Sequence, residues 1–152
     1  MKGRNLLVTK DGIAAIIPHA GDMCLLDGVL TWDADTIRCV SATHHSPHNP
    51  MRVNNRLSTI NGIEYAAQAM ATHGALVSQG AVTPRAGYLA SIRDVICHCR
   101  NLDEHAGELT IEARHLFGDG DHVLYEFKLR AGDTVLLSGR AAVVLDASEA
   151  VL

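Results

Sequence analysis

The chain has 152 residues, of which 47% are hydrophobic and 20% are charged, which is typical of one soluble globular domain with a substantial core. Its net charge is −4 and its basic residues form no dense run, which argues against a general nucleic-acid-binding protein. No apolar stretch reaches the roughly 18 residues of a membrane span, and the N-terminal residues lack the apolar segment of a secretory signal. We therefore expect a single domain over residues 1–152, located in the cytoplasm, without a nucleic-acid or membrane partner.

The first third of the chain predicts a short helix followed by a β-hairpin. Residues 10–17 indicate a short helix or turn, and two strands are predicted at 23–31 and 36–43 around a turn at 33–35. Residues 44–58 contain two prolines, three histidines and three asparagines without an apolar period, which predicts a loop.

A long central helix is predicted over residues 61–76, with Ser58, Thr59 and Asn61 as candidates for its N-cap. Apolar residues recur at helical spacing, and the opposite side carries mostly Ala and Gly. A helix that is apolar nearly all round is buried nearly all round. Glu64 lies in the first turns of this helix, where a carboxylate needs a partner or a function.

After the helix the apolar period changes to two. This period predicts four long antiparallel strands, near residues 86–99, 107–117, 121–130 and 133–145. One face of a flat sheet cannot cover a helix that is apolar nearly all round. The sequence therefore predicts an α+β fold in which a strongly curved antiparallel sheet wraps around the central helix.

This layout resembles the hotdog-fold 3-hydroxyacyl-ACP dehydratases. The segment IIPHAGDMCLLDGVL (16–30) is similar to the opening of that family, and Glu64-Tyr65-Ala66-Ala67-Gln68 resembles the Glu-Ala-x-Ala-Gln of its central helix. The segment GYLASIRDVICHC (87–99) resembles the strand that follows the helix, and the closing strands come in the expected order. Within the group, residues 49–76 look most similar to the dehydratase-like proteins of aryl polyene gene clusters.

The resemblance implies a set of functional properties. Members act on a 3-hydroxyacyl chain attached to the phosphopantetheine arm of acyl carrier protein, and they use no metal and no diffusible cofactor. They are at least dimers, in which a loop histidine of one chain meets the helix carboxylate of the other. A homodimer, a higher oligomer and a heteromer with a second hotdog protein all remain open.

The candidate catalytic residues are a carboxyl and several histidines. Glu64 matches the family's acid, and a carboxyl that is desolvated can hold a proton at neutral pH. The family's Gly-His-Phe-Pro loop is absent, because Pro50 stands fourteen positions before Glu64. His44 and His48 are the alternatives for the base; the aryl polyene-type alignment places the base at His44. His19, which follows Pro18, is a further candidate for either a catalytic role or a structural hydrogen bond.

The start of the helix is the candidate substrate-binding site. Free backbone N–H groups near Thr59, Ile60 and Asn61 are expected to bind the thioester oxygen, where the helix dipole also favours negative charge. Gln68 lies one turn after Glu64 on the same face, and three roles remain open: holding the carboxyl, binding the substrate or forming a satisfied buried amide. Glu64 also has a structural alternative, an ion pair with Arg56 or Arg93.

The four cysteines are expected to be reduced. Adjacent residues on a strand point to alternate faces, so Cys97, His98 and Cys99 are not expected to converge on one metal ion, and two small buried thiols are predicted instead.

Three functions remain open on the sequence. The first is dehydration of a 3-hydroxyacyl thioester to the trans-2-enoyl thioester. The second is a hotdog acyl thioesterase, and the third is a catalytically degenerate subunit of a heteromeric dehydratase.

Overall fold

The structure is a computed structural model that describes residues 5–17, 21–78, 86–119 and 122–146. The α-helices in these ranges are α1 (Lys10–Ile16) and α2 (Gly62–Val77). The strands are β1 (Val8–Thr9), β2 (Gly28–Trp32), β3 (Thr36–Ser41), β4 (Ala86–Cys97), β5 (Leu109–Asp119), β6 (His122–Ala131) and β7 (Thr134–Asp146). Single 3-10 turns lie at Gly21–Met23, Thr43–His45, Thr59–Asn61 and Leu102–Glu104. None of the helices in the described ranges combines the length and apolar character that a bilayer crossing requires.

The strands form one antiparallel sheet in the order β1-β2-β3-β5-β6-β7-β4. Helix α2 packs on β3, β4, β5 and β6. It is therefore covered both by a strand that precedes it in the sequence and by strands that follow it. The predicted α+β architecture, with one long helix packed against an antiparallel sheet, is confirmed.

The core lies between α2 and the inward side of the sheet. The alternating residues that face it from β5 and β6 are Leu109, Ile111, Ala113, Tyr125, Phe127 and Leu129. The helix approaches the sheet closely at its first residue, Gly62. A Cβ atom there would lie 2.7 Å from Leu137 Cδ2 and 2.9 Å from Leu129 Cδ2, so a larger residue would force these side chains to move.

The segment before β2 differs from the prediction. A strand was predicted at 23–31, but residues 21–23 form a 3-10 turn and β2 begins at Gly28. The backbone of Met23 and Leu25 forms hydrogen bonds with the Gln68 side chain instead of a neighbouring strand, so this part of the chain leaves the sheet. The two-residue strand β1 was not predicted.

Strand β4 forms one edge of the sheet and pairs with β7 alone among the described strands. It carries the exposed apolar residues Leu89 and Ile96. Its register shifts between Arg93 and Ile96, where Asp94 has a φ of 55°. Such a bulge bends an edge strand and increases its twist.

Candidate active site

Glu64 lies in the first turn of α2, and its side chain is half-buried in this single chain rather than desolvated. One turn later, Gln68 Nε2 donates to Glu64 Oε2 across 3.3 Å. Arg56, one of the two arginines considered as an ion-pair partner of Glu64, forms ion pairs with Asp103 and Glu104 at 3.0 and 2.8 Å.

The Gln68 amide is fully buried, and both its nitrogen and its oxygen form hydrogen bonds within the protein. Its Nε2 also donates to the Met23 carbonyl at 2.7 Å, and its Oε1 accepts from the Leu25 N–H at 2.9 Å. An amide has two N–H donors, and both are in use. The structure thus shows Gln68 as a satisfied buried amide that holds Glu64, and its role as a substrate contact stays a prediction.

His44 is the most constrained of the loop histidines. Its ring is 0% exposed, and its Nε2 is 3.0 Å from the His105 carbonyl oxygen. Because a carbonyl accepts only, Nε2 carries the proton in this contact. The buried Nδ1 has no hydrogen-bond partner among the described residues. Burial lowers the pKa of His44 to about 4 against the opposing effect of the His105 carbonyl, so the ring is neutral at pH 7.

The loop that carries His44 is anchored to α2 by Tyr65, the residue after Glu64. The buried Tyr65 hydroxyl is 2.8 Å from Thr43 Oγ1 and accepts from Asn49 Nδ2 at 3.1 Å. Burial raises the pKa of Tyr65 to about 12, so it stays a neutral hydroxyl. Sequence reasoning missed this anchor, although Tyr65 lies within the motif that contains Glu64.

Arg52 stabilises the same loop from its other side. Its guanidinium donates to the backbone carbonyls of His44, Ser46 and Asn55 at 2.8 to 3.0 Å. A cation with three carbonyl acceptors fixes a loop that has no regular secondary structure.

The other candidate histidines are placed differently. His48 is exposed, and the hydrogen bond found for it joins its backbone N–H to Ser46 Oγ. His45 is also exposed; its ring lies 3.8 Å from that of His44, and its Nε2 contacts the same His105 carbonyl at 2.7 Å. His19 lies outside the described residues.

The turn at Thr59–Asn61 offers fewer free N–H groups than predicted. The Thr59 N–H donates to the Arg100 carbonyl and the Asn61 N–H to the Ser58 carbonyl, both at 3.0 Å. Thr59 is buried, and its hydroxyl contacts Cys99 Sγ at 3.1 Å. The exposed Ile60 supplies the remaining N–H of this turn, for which the described chain provides no acceptor. The Thr59 and Asn61 amides are therefore occupied in this chain, which leaves the Ile60 amide as the candidate donor to a substrate oxygen.

The cysteine prediction is partly wrong. Cys97 is exposed and Cys99 is half-buried, whereas two buried thiols were expected. Strand β4 is an edge, and its end is uncovered in a single chain. Within the described ranges no group of three or more His, Cys, Asp or Glu side chains is arranged to hold a metal ion.

Comparison with known proteins identifies the family. A family model described as ApeP dehydratase, of the ApeP-like group, matches residues 12–151. The chain belongs to the ApeP-like dehydratase family. This match covers the His44 loop, α2 and the closing strands, and it confirms the resemblance to aryl polyene-type dehydratases. A search of curated protein sequences finds no match.

Solved structures show the same fold. The dehydratase heterocomplex ApeI:P from Xenorhabdus doucetiae has a chain that is 22% identical, with a TM-score of 0.77 over 88% of this chain and 90% of that chain. A thioesterase from Haemophilus influenzae is 14% identical, with a TM-score of 0.52 over 79% and 78% of the two chains. The hotdog fold predicted from the sequence is confirmed. The presence of both activities among the similar structures shows that fold alone does not decide between them.

Proposed function

We propose that this chain acts as a 3-hydroxyacyl-ACP dehydratase, removing water from the carrier-bound 3-hydroxyacyl thioester to give the trans-2-enoyl thioester in aryl polyene-type biosynthesis. One observation carries the proposal: the dehydratase family model spans residues 12–151 and thus includes both the loop of His44 and the helix of Glu64. The reaction needs a base at C2, an acid for the C3 hydroxyl and a donor to the thioester oxygen.

His44 is the proposed base. Its Nε2–H is fixed on the His105 carbonyl, which leaves Nδ1 as a proton acceptor. A buried polar atom without a partner is costly unless a ligand or a catalytic step uses it. The ring is covered in one chain, so substrate access requires covering groups such as the exposed His45 ring to move. His48 is exposed and remains the alternative base.

Glu64 is the proposed acid. It lies in the first turn of α2, and its carboxylate accepts a hydrogen bond from Gln68. As the C2–H bond breaks, its proton goes to the histidine and the C3 hydroxyl leaves with a proton from Glu64, directly or through a water. The Ile60 N–H stabilises the charge on the thioester oxygen at the same end of the helix. No metal or diffusible cofactor enters this scheme.

The proposal includes a second hotdog chain. Edge strand β4 pairs on one side only among the described strands and carries exposed apolar residues, which is a template for pairing with another strand. A carboxylate from a partner next to His44 would also make its ring a stronger base than it is in one chain. A second copy and a different hotdog protein, as in the ApeI:P heterocomplex, are the two candidates.

The outward face of the sheet supports acyl carrier protein, an acidic protein, as the substrate's carrier. Two adjacent cross-strand rows lie side by side, one with Arg114, Glu126, Arg140 and Arg93 and the next with Arg38, Glu112 and Lys128. These rows carry more basic than acidic side chains on a chain whose net charge is −4. A local basic surface attracts an acidic partner despite the overall charge.

The test is intact-protein mass spectrometry of acyl carrier protein loaded with a 3-hydroxyacyl chain. The carrier is incubated with this chain alone and with the chain co-expressed with candidate hotdog partners from its own genome. Glu64→Gln, which keeps the shape and removes the proton, is compared with Glu104→Gln, an exposed glutamate outside the candidate site.

Loss of one water, slowed at least about a hundredfold by Glu64→Gln and unaffected by Glu104→Gln, is the expected result. Release of the acyl group would instead make the chain a thioesterase. Dehydration that needs the partner and is unaffected by Glu64→Gln would make it a catalytically degenerate subunit.

A further inference from the structure

Residues 99–105 contact two separate parts of the candidate site. On one side, the Leu102 N–H donates to the Leu57 carbonyl at 2.8 Å and the Arg100 carbonyl accepts from Thr59, so the segment before α2 is fixed. On the other side, the His105 carbonyl accepts from the His44 ring. The candidate base and the start of the helix with the candidate acid are thus held by the same short segment.

Within this segment, the Asp103 carboxylate binds the chain that precedes α2. Its Oδ1 accepts from the Leu57 N–H at 2.8 Å, and its Oδ2 is 3.0 Å from Arg56 Nε. Its side chain is only 12% exposed, whereas that of the neighbouring Glu104 is 48% exposed. The turn that contains Asp103 ends where the His105 N–H donates to the Leu102 carbonyl, which directs the His105 carbonyl towards His44.

We propose that Asp103 is a positioning residue for the dehydration: its carboxylate fixes the segment before α2 and the turn that holds His44. This proposal rests on the proposed function, because it takes His44 to be the base. The carboxylate does not contact the reacting atoms; it acts through the Leu57 amide and through the turn whose His105 carbonyl holds the His44 ring.

The charge of Asp103 adds a smaller effect on His44 to this positioning role. The groups that face it are the stacked His45 ring, His105, the Arg52 guanidinium on the His44 carbonyl and Asp103. Burial is the main cause that lowers the pKa of His44, and the charges of the His45 and His105 rings lower it further. The charge of Asp103 raises it. Burial raises the pKa of Asp103 itself, but the Leu57 N–H, its own N–H and Arg56 outweigh this, so it is ionised at neutral pH.

The experiment compares Asp103→Asn with Glu104→Gln in the active assembly. Both remove one charge beside Arg56, but only the first changes the group that binds the Leu57 amide. We expect Asp103→Asn to lower kcat by about tenfold to a hundredfold with little change in KM, and Glu104→Gln to leave both unchanged. The low-pH limb of kcat/KM should move to lower pH in Asp103→Asn, because His44 loses an anion that favours its protonated form.

A second readout does not depend on activity. Hydrogen–deuterium exchange should become faster in residues 43–46 and 56–59 of Asp103→Asn and stay unchanged in Glu104→Gln. If no dehydration is seen with the wild-type protein, the proposed function fails, while the exchange data still test the contact. Wild-type exchange and a wild-type pH profile in Asp103→Asn would overturn the proposal.

Asp103→Glu covers the case in which the asparagine variant does not fold. It keeps the charge but moves the carboxylate by one methylene group. A lower kcat with the low-pH limb unmoved would support the positioning role, and wild-type kcat would overturn it.

Discussion

Gln68 connects the candidate acid to a distant part of the chain: its Nε2 lies 3.3 Å from Glu64 Oε2 and 2.7 Å from the Met23 carbonyl oxygen. One amide thus fixes both the carboxylate and the segment that precedes β2. The contact explains why the polar Gln68 side chain occupies a fully buried position on a helix whose buried residues are mostly apolar.

Gln68→Leu is expected to destabilise the fold by about 2–4 kcal/mol, because the Leu25 N–H and the Met23 carbonyl lose their partner in the interior. Urea denaturation measures this loss. Thr72→Val is the matched control, since it removes a buried hydroxyl that bonds only to the Gln68 carbonyl of its own helix. Equal losses in the two variants would contradict a special role of the amide.

Tyr65→Phe is expected to loosen the loop that carries His44. It removes the hydroxyl that contacts Thr43 and Asn49 and should cost about 1–2 kcal/mol. Hydrogen exchange in residues 42–51 should become faster. Tyr125→Phe makes the same chemical change at a hydroxyl that contacts His73 at 2.7 Å, and it should leave exchange in 42–51 unchanged.

Most of the fold could be predicted because it rests on local periodicity. The apolar pattern of residues 61–76 and the period of two after residue 86 predicted α2 and β4–β7 with boundaries within a few residues. Residues 23–27 were mispredicted as a strand because a side chain 43 to 45 positions later forms hydrogen bonds with the backbone of Met23 and Leu25. No local pattern contains that information.

The sequence could predict the members of the candidate site only where a side chain, rather than a backbone group, supplies the proposed chemistry. Glu64 and His44 are recognisable by residue type, but the His105 carbonyl that orients His44 is a backbone atom that any residue supplies. The same applies to the Ile60 amide. The sequence could not show that the Thr59 amide is occupied, because its acceptor lies 41 positions further along the chain, at Arg100.

Stability is expected to fall as the pH decreases from about 6.5 towards 5. Burial lowers the pKa of both His44 and His73 in the folded chain, His44 to about 4, so both rings are neutral in the fold. In the unfolded chain they take up protons near pH 6.5, so acid favours unfolding, and the loss ends only below the folded-state pKa values. The pKa values of Asp33, Asp103 and Glu104 are lowered from ordinary values of 3.8, 3.8 and 4.5, so these carboxyls change the stability mainly at lower pH.

The measurement is the urea midpoint at several pH values between 7 and 5. His73→Gln removes one of the two buried histidine rings of the described residues and should reduce the pH dependence of the urea midpoint. His48→Gln changes an exposed histidine and should leave it as in the wild type. A midpoint independent of pH in the wild-type protein would contradict the neutral state of the buried rings.

His44→Ala is expected to lower the dehydration rate by about a hundredfold or more, with His48→Ala close to wild type. The reason is that His44 alone among the described loop histidines combines a fixed Nε2–H with a buried Nδ1 that has no hydrogen-bond partner. Circular dichroism and thermal melting establish that each variant is folded. The reverse order of effects would move the base to His48.

If two copies of this chain form the active assembly, mixing inactive Glu64→Gln and His44→Ala proteins should restore activity. Each site of a symmetric dimer would take His44 from one chain and Glu64 from the other, so a mixed dimer has one intact site. Random exchange of equal amounts should recover about a quarter of the wild-type sites. Native mass spectrometry confirms the exchange, and two Glu64→Gln preparations of different mass serve as the control. Exchange without recovery would mean that each site lies within one chain or that the partner is a different hotdog protein.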